Sequence, residues 1–368
     1  MNQRHRVLLS LSLILAFAAT LRADDIDEFV RRVIKERHIP AASIAVVKDG
    51  VVVKIAEYGI TNVEHNIAAR PNTVYKIGSV SKQFLAAGIM LLVQDGKLAV
   101  DDRLSKHLPG IPTAWEDIKL RHLLTHTSGL VREAPGFDPY KVQSDIDLIK
   151  SAYAVPLQWK PGERYEYCNF GYYILAEVIH QVSGKPWSEF LNERVFTPLG
   201  MTNTRVTTVA DVIPNRADGY VWAEEKLTNA ENWTAVRPSG AFLSTVADMA
   251  KWEIALQRSQ VLQASSKTEM WTPLVLNSGE KYPYGFGWEL DDFPPGGYIT
   301  GVPMIRHEGT IPGFRAAYGR LPKQNLAVIV LSNLDRAALD SIVAGVAVRY
   351  APEILPAALK RWEASALK

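Results

Sequence analysis

Apolar residues near the two ends of this chain follow the spacing of β-strands. Residues 42–47 and 51–56 are rich in β-branched side chains, and the Asp49-Gly50 pair between them is typical of a hairpin turn. Further strand-like runs near the C-terminus cover residues 304–307, 315–321 and 326–331. The pattern therefore predicts one antiparallel sheet built from both chain ends.

The apolar spacing between these strand-like ends is mostly that of helices. A first amphipathic helix is predicted at 26–37, and a closing helix at 340–350. The other predicted helices cover residues 83–94, 171–182 and 245–257. The fold class is therefore α/β (α+β), an antiparallel sheet flanked by helices with a mostly helical subdomain inserted. We place the α/β part at about 24–78 and 291–352, and the helical part at about 79–290.

The first 23 residues have the pattern of a secretory signal peptide. Arg4 and Arg6 precede an apolar run at 7–19, and small residues lead to a cleavage position after Ala23. The run is shorter than the roughly 20 apolar residues of a membrane-spanning helix. We expect residues 1–23 to be removed, which leaves a single catalytic domain at 24–368 exported to the periplasm or medium. An uncleaved N-terminal anchor is the alternative, and no stable membrane span is expected after cleavage.

The charge of the chain excludes a nucleic-acid partner. Lys and Arg number 41 against 39 Asp and Glu, so the net charge is +2, and loss of Arg4, Arg6 and Arg22 brings it to −1. Such a balanced pattern lacks the basic patch of a nucleic-acid-binding protein. The single cysteine, Cys168, cannot form an internal disulfide. A chain of this length can instead be stabilised by a large hydrophobic core.

The tetrapeptide Ser-x-x-Lys occurs three times, and its context separates the three copies. Ser278 lies in a turn-like segment and Ser365 in the terminal tail, whereas Ser79 follows Gly78 and opens an apolar helix. On a helix, residues three apart share a face, so the amine of Lys82 can reach the Ser79 hydroxyl. Serine is also a common helix N-cap, so the pair alone leaves a capping role open for Ser79.

The chemistry of such a pair depends on its surroundings. A serine hydroxyl becomes a nucleophile when a neighbouring base takes its proton. Lysine, with an ordinary pKa near ~10.4, serves as that base only if burial or another cation lowers its pKa. The backbone N–H groups at a helix start can stabilise an oxyanion.

Two other segments carry side chains suited to the same site. Tyr167 and Asn169 are two residues apart at a turn-rich helix start, so an extended backbone would direct both into one cleft. The phenol can relay a proton, and the amide can bind a carbonyl. His307 ends a strand-like run, and Gly309 permits close approach of the backbone to a ligand. Packing roles for Tyr167 and His307 are the alternative.

Taken together, these segments resemble the serine β-lactamase and penicillin-binding-protein superfamily. Within it the chain resembles the class C β-lactamase-related serine hydrolases, which include D-alanyl-D-alanine carboxypeptidases, D-aminopeptidases and β-lactamase-like esterases. The resemblance rests on seven motifs in the family's order, which are Tyr75-Lys76-Ile77-Gly78-Ser79-Val80-Ser81-Lys82, Leu120-Arg121-His122-Leu123-Leu124-Thr125-His126-Thr127-Ser128-Gly129-Leu130, Tyr167-Cys168-Asn169, Pro198-Leu199-Gly200-Met201, Gly240-Ala241-Phe242-Leu243-Ser244-Thr245-Val246-Ala247-Asp248-Met249, Tyr284-Gly285-Phe286-Gly287-Trp288 and His307-Glu308-Gly309.

The resemblance implies a role for each candidate residue. Ser79 is the nucleophile that forms an acyl-enzyme, and Lys82 and Tyr167 share the proton transfers, with the identity of the base left open. Asn169 orients the substrate, and His307 lines the sheet edge of the cleft. The backbone N–H groups of Ser79 and Thr310 form the oxyanion hole. No metal and no cofactor is implied.

Position 307 departs from the β-lactamases of this class, which carry lysine there. Histidine is largely neutral at pH 7 and lacks the fixed charge that binds the carboxylate of a β-lactam. Related esterases tend to have tryptophan, and D-aminopeptidase-like members more often have histidine. We therefore expect an amide or ester of a D-amino-acid peptide, or a small ester, as substrate. A carboxylesterase, a weak β-lactamase and a penicillin-binding module without turnover are the alternatives.

Two further features carry weaker expectations. Cys168 stands where the family commonly has serine, and we expect its side chain to turn away from the cleft. His122 and His126 are four residues apart, as in a metal pair, but lack the glutamate of the His-Glu-x-x-His pattern. No metal is therefore expected there. The oligomeric state stays open.

Overall fold

The computed structural model describes residues 25–206, 211–233, 237–294 and 301–354. The predicted signal peptide and the Ser-x-x-Lys copy at Ser365 lie outside these ranges. The helices are α1 (residues 25–36), α2 (Lys82–Gln94), α3 (Leu120–Leu124), α4 (Asp145–Ser151), α5 (Asn169–Ser183), α6 (Trp187–Leu191), α7 (Val246–Arg258), α8 (Ala264–Met270) and α9 (Asp340–Tyr350). None of the described helices is long and apolar enough to span a membrane.

Fourteen strands lie in the described ranges. They are β1 (Ala41–Lys48), β2 (Val51–Asn62), β3 (Ile67–Ala68), β4 (Tyr75–Lys76), β5 (Arg205–Val206), β6 (Tyr220–Ala223), β7 (Lys226–Asn229), β8 (Phe242–Ser244), β9 (Leu274–Val275), β10 (Lys281–Tyr282), β11 (Glu289–Asp292), β12 (Pro303–Ile311), β13 (Phe314–Leu321) and β14 (Leu326–Ser332). The predicted hairpin around Asp49-Gly50 is the turn between β1 and β2.

The main sheet has seven strands in the order β11-β12-β13-β14-β1-β2-β3, and neighbouring strands are antiparallel. β14, from the C-terminal part, pairs with β1, from the N-terminal part, with Ala45 opposite Ile329. The prediction of an antiparallel sheet built from both chain ends is therefore confirmed. Short strands β4, β8 and β5 form a separate three-stranded sheet.

Helices cover both faces of the main sheet. Alternate residues of β1 point to opposite faces, so Ala45 packs in a core with α2 and α7, while Ile44 packs in a second core with α1 and α9. Because both faces are buried, β1 and β14 are apolar at almost every position rather than at alternate ones.

The start of α2 differs in detail from the prediction. Ser79 belongs to a one-turn 3-10 helix, Gly78–Ser81, and α2 begins only at Lys82. In a 3-10 turn, side chains three positions apart eclipse each other, so Ser79 and Lys82 still lie on the same side. The turn packs against β12, which brings the start of α2 to the edge of the main sheet.

Candidate active site

Ser79 and Lys82 are in direct contact. Nζ of Lys82 lies 3.1 Å from Oγ of Ser79 and, on its other sides, 2.7 Å from Oδ1 of Asn169 and 3.0 Å from the carbonyl oxygen of Ser239. Ser79 is half-buried, whereas Lys82 is completely buried. The alternative role of Ser79 as a helix N-cap is not what the structure has, since α2 starts three residues later without a side-chain cap.

Burial changes the protonation of Lys82. Loss of water contact lowers the pKa of its amine to about 7; Glu133 opposes this shift and Arg132 adds to it. The amine is therefore shared between its charged and neutral forms near neutral pH. From the sequence, either burial or a nearby cation could lower the pKa of this lysine. In the structure, desolvation is the main cause.

Asn169 holds the Lys82 amine from the start of α5. Cys168 caps this helix by accepting a hydrogen bond from the Gly171 N–H, so the amide of Asn169 projects from the first helical residue. Its oxygen accepts from Lys82, and its nitrogen donates to a carboxylate oxygen of Glu133. The other oxygen of Glu133 accepts from the Tyr173 hydroxyl at 2.8 Å, so the orientation of Asn169 is determined.

Tyr167 is beside this pair, one residue before the helix cap. Nζ of Lys82 lies 4.7 Å from the centre of the Tyr167 ring, and the guanidinium of Arg132 lies 5.3 Å from that centre. Burial raises the pKa of the Tyr167 hydroxyl well above its ordinary value, although a hydrogen bond with Ser79 works in the opposite direction. Tyr167 therefore keeps its proton at neutral pH.

The main chain of β12 lies against the Ser79 turn. A Cβ atom on Gly309 would lie 1.9 Å from the Ile77 carbonyl oxygen and 3.2 Å from the Ser79 nitrogen. A Cβ atom on Gly78, whose φ is +51°, would lie 2.8 Å from the Thr310 nitrogen. The two glycines thus let the N–H groups of Ser79 and Thr310 come close to each other.

The hairpin register explains why the Thr310 N–H points toward Ser79. Ile311 and Phe314 close a two-residue turn, and Thr310 is opposite Arg315 at the next position. Hydrogen-bonded and non-hydrogen-bonded pairs alternate along an antiparallel pair of strands. The Thr310 N–H therefore points away from β13 and toward the Ser79 turn, where it can bind an oxyanion.

His307 lies on β12 behind this site and is only 2% exposed. Its Nδ1 lies 2.6 Å from the Glu308 carbonyl oxygen, and its Nε2 lies 3.1 Å from the Tyr284 hydroxyl. Desolvation, together with the charge of Lys82, lowers the pKa of His307 to about 3. The ring is therefore neutral, and both nitrogens are engaged within the protein rather than offered to the cleft.

Sequence reasoning did not assign His126 or Tyr284 to this site. Nε2 of His126 lies 3.0 Å from the Tyr284 hydroxyl, and its ring centre lies 4.3 Å from that of Tyr167. Both residues stood within quoted motifs, but nothing in their spacing indicated contact across 158 positions. Arg132 and Glu133, just after the His126 motif, were also missed.

The remaining sequence expectations concern the histidine pair, the Cys168 side chain and the Ser-x-x-Lys copy at Ser278. His122 and His126 do not share a helix face, because α3 ends at Leu124 and His126 has a φ of +59°. Within the described ranges, no group of three His, Cys, Asp or Glu side chains is arranged to hold a metal. Cys168 is buried and points toward the Val131 carbonyl oxygen. Ser278 is exposed in a turn.

Comparison with known proteins places this chain in a family. The sequence model of the Beta-lactamase family matches residues 26–351. This chain belongs to that family. Its members share the serine hydrolase fold, and the predicted resemblance to the serine β-lactamase and penicillin-binding-protein superfamily is confirmed.

Individual relatives share less than a third of their aligned residues with this chain. This β-lactamase family member is similar to Penicillin-binding protein 4* of Bacillus subtilis (strain 168), with 28% identity over 321 residues, covering 82% of this chain and 69% of that protein. It is similar to Protein flp of Staphylococcus aureus (strain MW2), with 27% identity over 332 residues, covering 86% of this chain and 64% of that protein.

Two solved structures share the fold. The octameric penicillin-binding protein homologue from Pyrococcus abyssi is 28% identical with a TM-score of 0.75, covering 90% of this chain and 77% of that one. D-amino acid amidase from Ochrobactrum anthropi SV3 has a TM-score of 0.74 and 23% identity, covering 92% of this chain and 99% of that one. At that identity, the second likeness concerns the fold alone.

Proposed function

We propose that this protein hydrolyses an amide or ester through a covalent acyl-enzyme on Ser79, with Lys82 as the general base. The observation that carries this proposal is the set of three contacts around the buried Lys82 amine. A neutral amine has two N–H donors and one lone pair. The oxygens of Asn169 and Ser239, at 2.7 and 3.0 Å, can only accept, so they take the two donors. The lone pair is then directed at the Ser79 hydroxyl, 3.1 Å away.

The acylation step follows from this arrangement. The Ser79 oxygen attacks the substrate carbonyl carbon as its proton passes to Nζ of Lys82. The carbonyl electron pair moves onto oxygen, where the N–H groups of Ser79 and Thr310 stabilise the negative charge. When the tetrahedral intermediate collapses, the bond to the leaving amine or alcohol breaks, and the leaving group takes a proton from the Lys82 ammonium or the Tyr167 hydroxyl.

Deacylation is the same sequence with water as the nucleophile. Water attacks the acyl carbon and transfers a proton to the base, and the Ser79 oxygen leaves and recovers a proton. Tyr167 stays protonated near neutral pH, which favours a role as donor and leaves Lys82 as the group that can accept a proton.

The substrate we propose is an amide or ester of a D-amino-acid peptide or a small ester, rather than a β-lactam. His307 is neutral and buried, so it supplies no fixed charge for a β-lactam carboxylate. One relative is a penicillin-binding protein by name and one similar structure is that of a penicillin-binding protein homologue, which makes peptides of the D-alanyl type the first class to test. We further propose that the chain is exported and that residues 1–23 are removed. The mass of the protein recovered from a secreting host tests this proposal.

The test is a panel of three substrates with purified protein, namely a chromogenic ester, a D-alanyl amide paired with its L-alanyl counterpart, and a chromogenic cephalosporin. We expect steady turnover of the ester or the D-alanyl amide, slower turnover of the cephalosporin, and an acyl adduct on Ser79 by mass spectrometry. Ser79→Ala should abolish all three.

The matched control is Ser278→Ala, which alters the surface copy of the same tetrapeptide and should leave every rate unchanged. Turnover of esters alone favours the carboxylesterase. A burst without steady turnover on all three substrates favours a penicillin-binding module. Unchanged turnover in Ser79→Ala would refute the acyl-enzyme altogether.

A further inference from the structure

His126 contacts the Tyr167 ring and the backbone of both residues that flank Tyr167, although these residues are distant from it in sequence. The backbone N–H of Glu166 donates to the carbonyl oxygen of His126 at 2.9 Å. The backbone N–H of Cys168 donates to Nδ1 of the same histidine at 3.1 Å. Between these two bonds the Tyr167 ring lies on the His126 ring, with centres 4.3 Å apart and planes at 38°. One histidine thus holds the main chain on both sides of Tyr167 as well as its ring.

The backbone of His126 is in an unusual conformation. Its φ is +59°, in the left-handed region that few residues other than glycine adopt, and its side chain is 1% exposed. Such conformations persist where the surroundings hold the residue in place, and they concentrate at functional sites. The left-handed backbone directs the His126 carbonyl and the His126 ring toward the same segment, 166–168.

The partners of His126 and His307 determine the direction of the hydrogen bonds that these two rings make. Its Nδ1 accepts from Cys168, so the proton of the neutral ring is on Nε2, which donates to the Tyr284 oxygen. At the other end, the Glu308 carbonyl oxygen can only accept, so the proton of His307 is on Nδ1. Nε2 of His307 therefore accepts the Tyr284 proton. Tyr172 also hydrogen-bonds to Tyr284, but it donates its own proton to the Leu124 carbonyl oxygen, so it competes with His307 only as an acceptor of the Tyr284 proton. Donation to His307 is the favoured arrangement, because it satisfies a buried ring nitrogen.

We propose that His126 is a positioning residue for Tyr167, held in place by a one-directional hydrogen-bond chain through Tyr284 to His307. The chain joins the loop after α3, the turn before β11, and β12, three segments that surround the catalytic tyrosine. The inference rests on the proposed function only in taking Tyr167 as a catalytic residue. His307 also lies near Tyr167 itself, with ring centres 6.3 Å apart, but it is buried, so we expect it to act through Tyr284 and His126 rather than on the substrate.

The direction of the hydrogen-bond chain requires the imidazoles of His126 and His307 to stay neutral. The titratable groups that face His126 are Lys82, His307 and Arg132, and those that face His307 are Lys82, Glu308 and Arg306. Desolvation is the larger influence on both rings, and the nearby cations act in the same direction. Neither ring then adds a positive charge beside the Lys82 amine.

The first test reads the proton positions directly by two-dimensional ¹⁵N–¹H NMR of the full chain, with His126→Asn and His307→Asn used to assign the two rings. We expect His126 to carry its proton on Nε2 and His307 on Nδ1, with neither ring titrating between about pH 5 and about pH 8. The opposite tautomer in either ring, or titration of either ring in that pH range, would overturn the proposed hydrogen-bond chain. This readout needs no substrate and no activity.

The second test is Tyr284→Phe, which removes only the bridging hydroxyl. The probe is a fluorophosphonate, whose rate of labelling of Ser79 reports the nucleophile and its base without a known substrate. We expect labelling to slow about tenfold or more, because small displacements of catalytic groups cost up to ~10²-fold in rate. A smaller change would overturn the positioning role.

The control is Tyr282→Phe, two residues earlier. The ring of Tyr282 stacks on that of Tyr165, with ring centres 3.9 Å apart, and Tyr282 is not part of the proposed hydrogen-bond chain. It should label at the wild-type rate, and urea midpoints of both variants separate slow labelling from unfolding. If wild-type protein labels on Ser79 and only the tautomers differ, the positioning chain fails alone. If the tautomers are as stated but Ser79 is never labelled, the proposed function fails alone.

Discussion

The amine of Lys82 lies closer to the amide oxygen of Asn169, at 2.7 Å, than to the hydroxyl of Ser79, at 3.1 Å. Asn169 is in turn held by Glu133, so the lysine is fixed by a neutral acceptor rather than by direct pairing with a carboxylate. A direct ion pair would keep the amine protonated. The contact with Asn169 orients the amine while leaving it able to lose its proton.

The first prediction is the pH dependence of acylation. Because burial lowers the pKa of Lys82 to about 7, the neutral amine, which is the active form, predominates above that pH. We expect kcat/KM to rise about tenfold per pH unit below about 7 and to level off above it. Stopped-flow acylation between about pH 5 and about pH 9 measures this. A profile flat across pH 7 would contradict the assignment of Lys82 as the base.

A second prediction uses two adjacent charges with opposite effects. Arg132 lowers the pKa of Lys82 and Glu133 raises it. Arg132→Gln should therefore move the acid limb of the kcat/KM profile to higher pH, and Glu133→Gln should move it to lower pH. Gln at position 133 keeps an oxygen that can accept from Asn169. Shifts in the same direction for both variants would show that the acid limb of the profile does not report the ionisation of Lys82.

The third prediction concerns stability. The folded-state pKa of Lys82 is about 7 and its ordinary value is 10.5, so between them the unfolded chain binds more protons. The contribution of Lys82 to the free energy of unfolding therefore increases as pH rises through that window. Compared with Lys82→Met, the wild type should gain at most about 1.4 kcal/mol per pH unit above pH 7. Urea denaturation at about pH 6 and about pH 9 measures it. A pH-independent difference between the two proteins would contradict the lowered pKa.

A fourth prediction follows from the close approach of β12. Gly309→Ala places a Cβ atom 1.9 Å from the Ile77 carbonyl oxygen, so the Ser79 turn and β12 must separate. We expect acylation to slow by on the order of 10²–10³, as when one oxyanion donor is lost. Gly96→Ala is the control, since Gly96 has a φ of +69° with nothing within 4 Å. It should cost about 1 kcal/mol of stability without changing the rate per folded molecule.

The fifth prediction is that Cys168 is unreactive in the folded protein. Burial raises the pKa of its thiol to about 12, and only the thiolate reacts with alkylating agents. Iodoacetamide at about pH 8 should leave the native protein unmodified and label Cys168, the single cysteine, once the chain is unfolded in urea. Labelling of the native protein at the rate of a free thiol would show that this segment opens readily.

Much of the local structure could be predicted from the sequence, because helix and strand depend on spacing within short segments. The hairpin at Asp49-Gly50 and the closing helix Asp340–Tyr350 lie where the pattern placed them. Ser79 was singled out among three copies of Ser-x-x-Lys by the glycine before it and the apolar helix after it. A single sheet built from both chain ends was also predicted, since strands need partners for their backbone groups, but the pairing of β1 with β14 is known only from the structure.

Only the tertiary structure decided how the chosen residues act. The burial of Lys82 depends on packing around α2, and desolvation is what lowers its pKa. Burial and the charge of Lys82 keep His307 neutral, and the position of its proton depends on the Tyr284 hydroxyl and the adjacent Glu308 carbonyl oxygen. The burial and the contact with Tyr284 cannot be read from the spacing of residues along the chain. The hold of His126 on Tyr167, 41 positions later, depends on the backbone N–H groups of Glu166 and Cys168, which donate to the carbonyl oxygen and to Nδ1 of His126. Local pattern specifies which residues can do the chemistry, and the packing of distant segments specifies their protonation and their geometry.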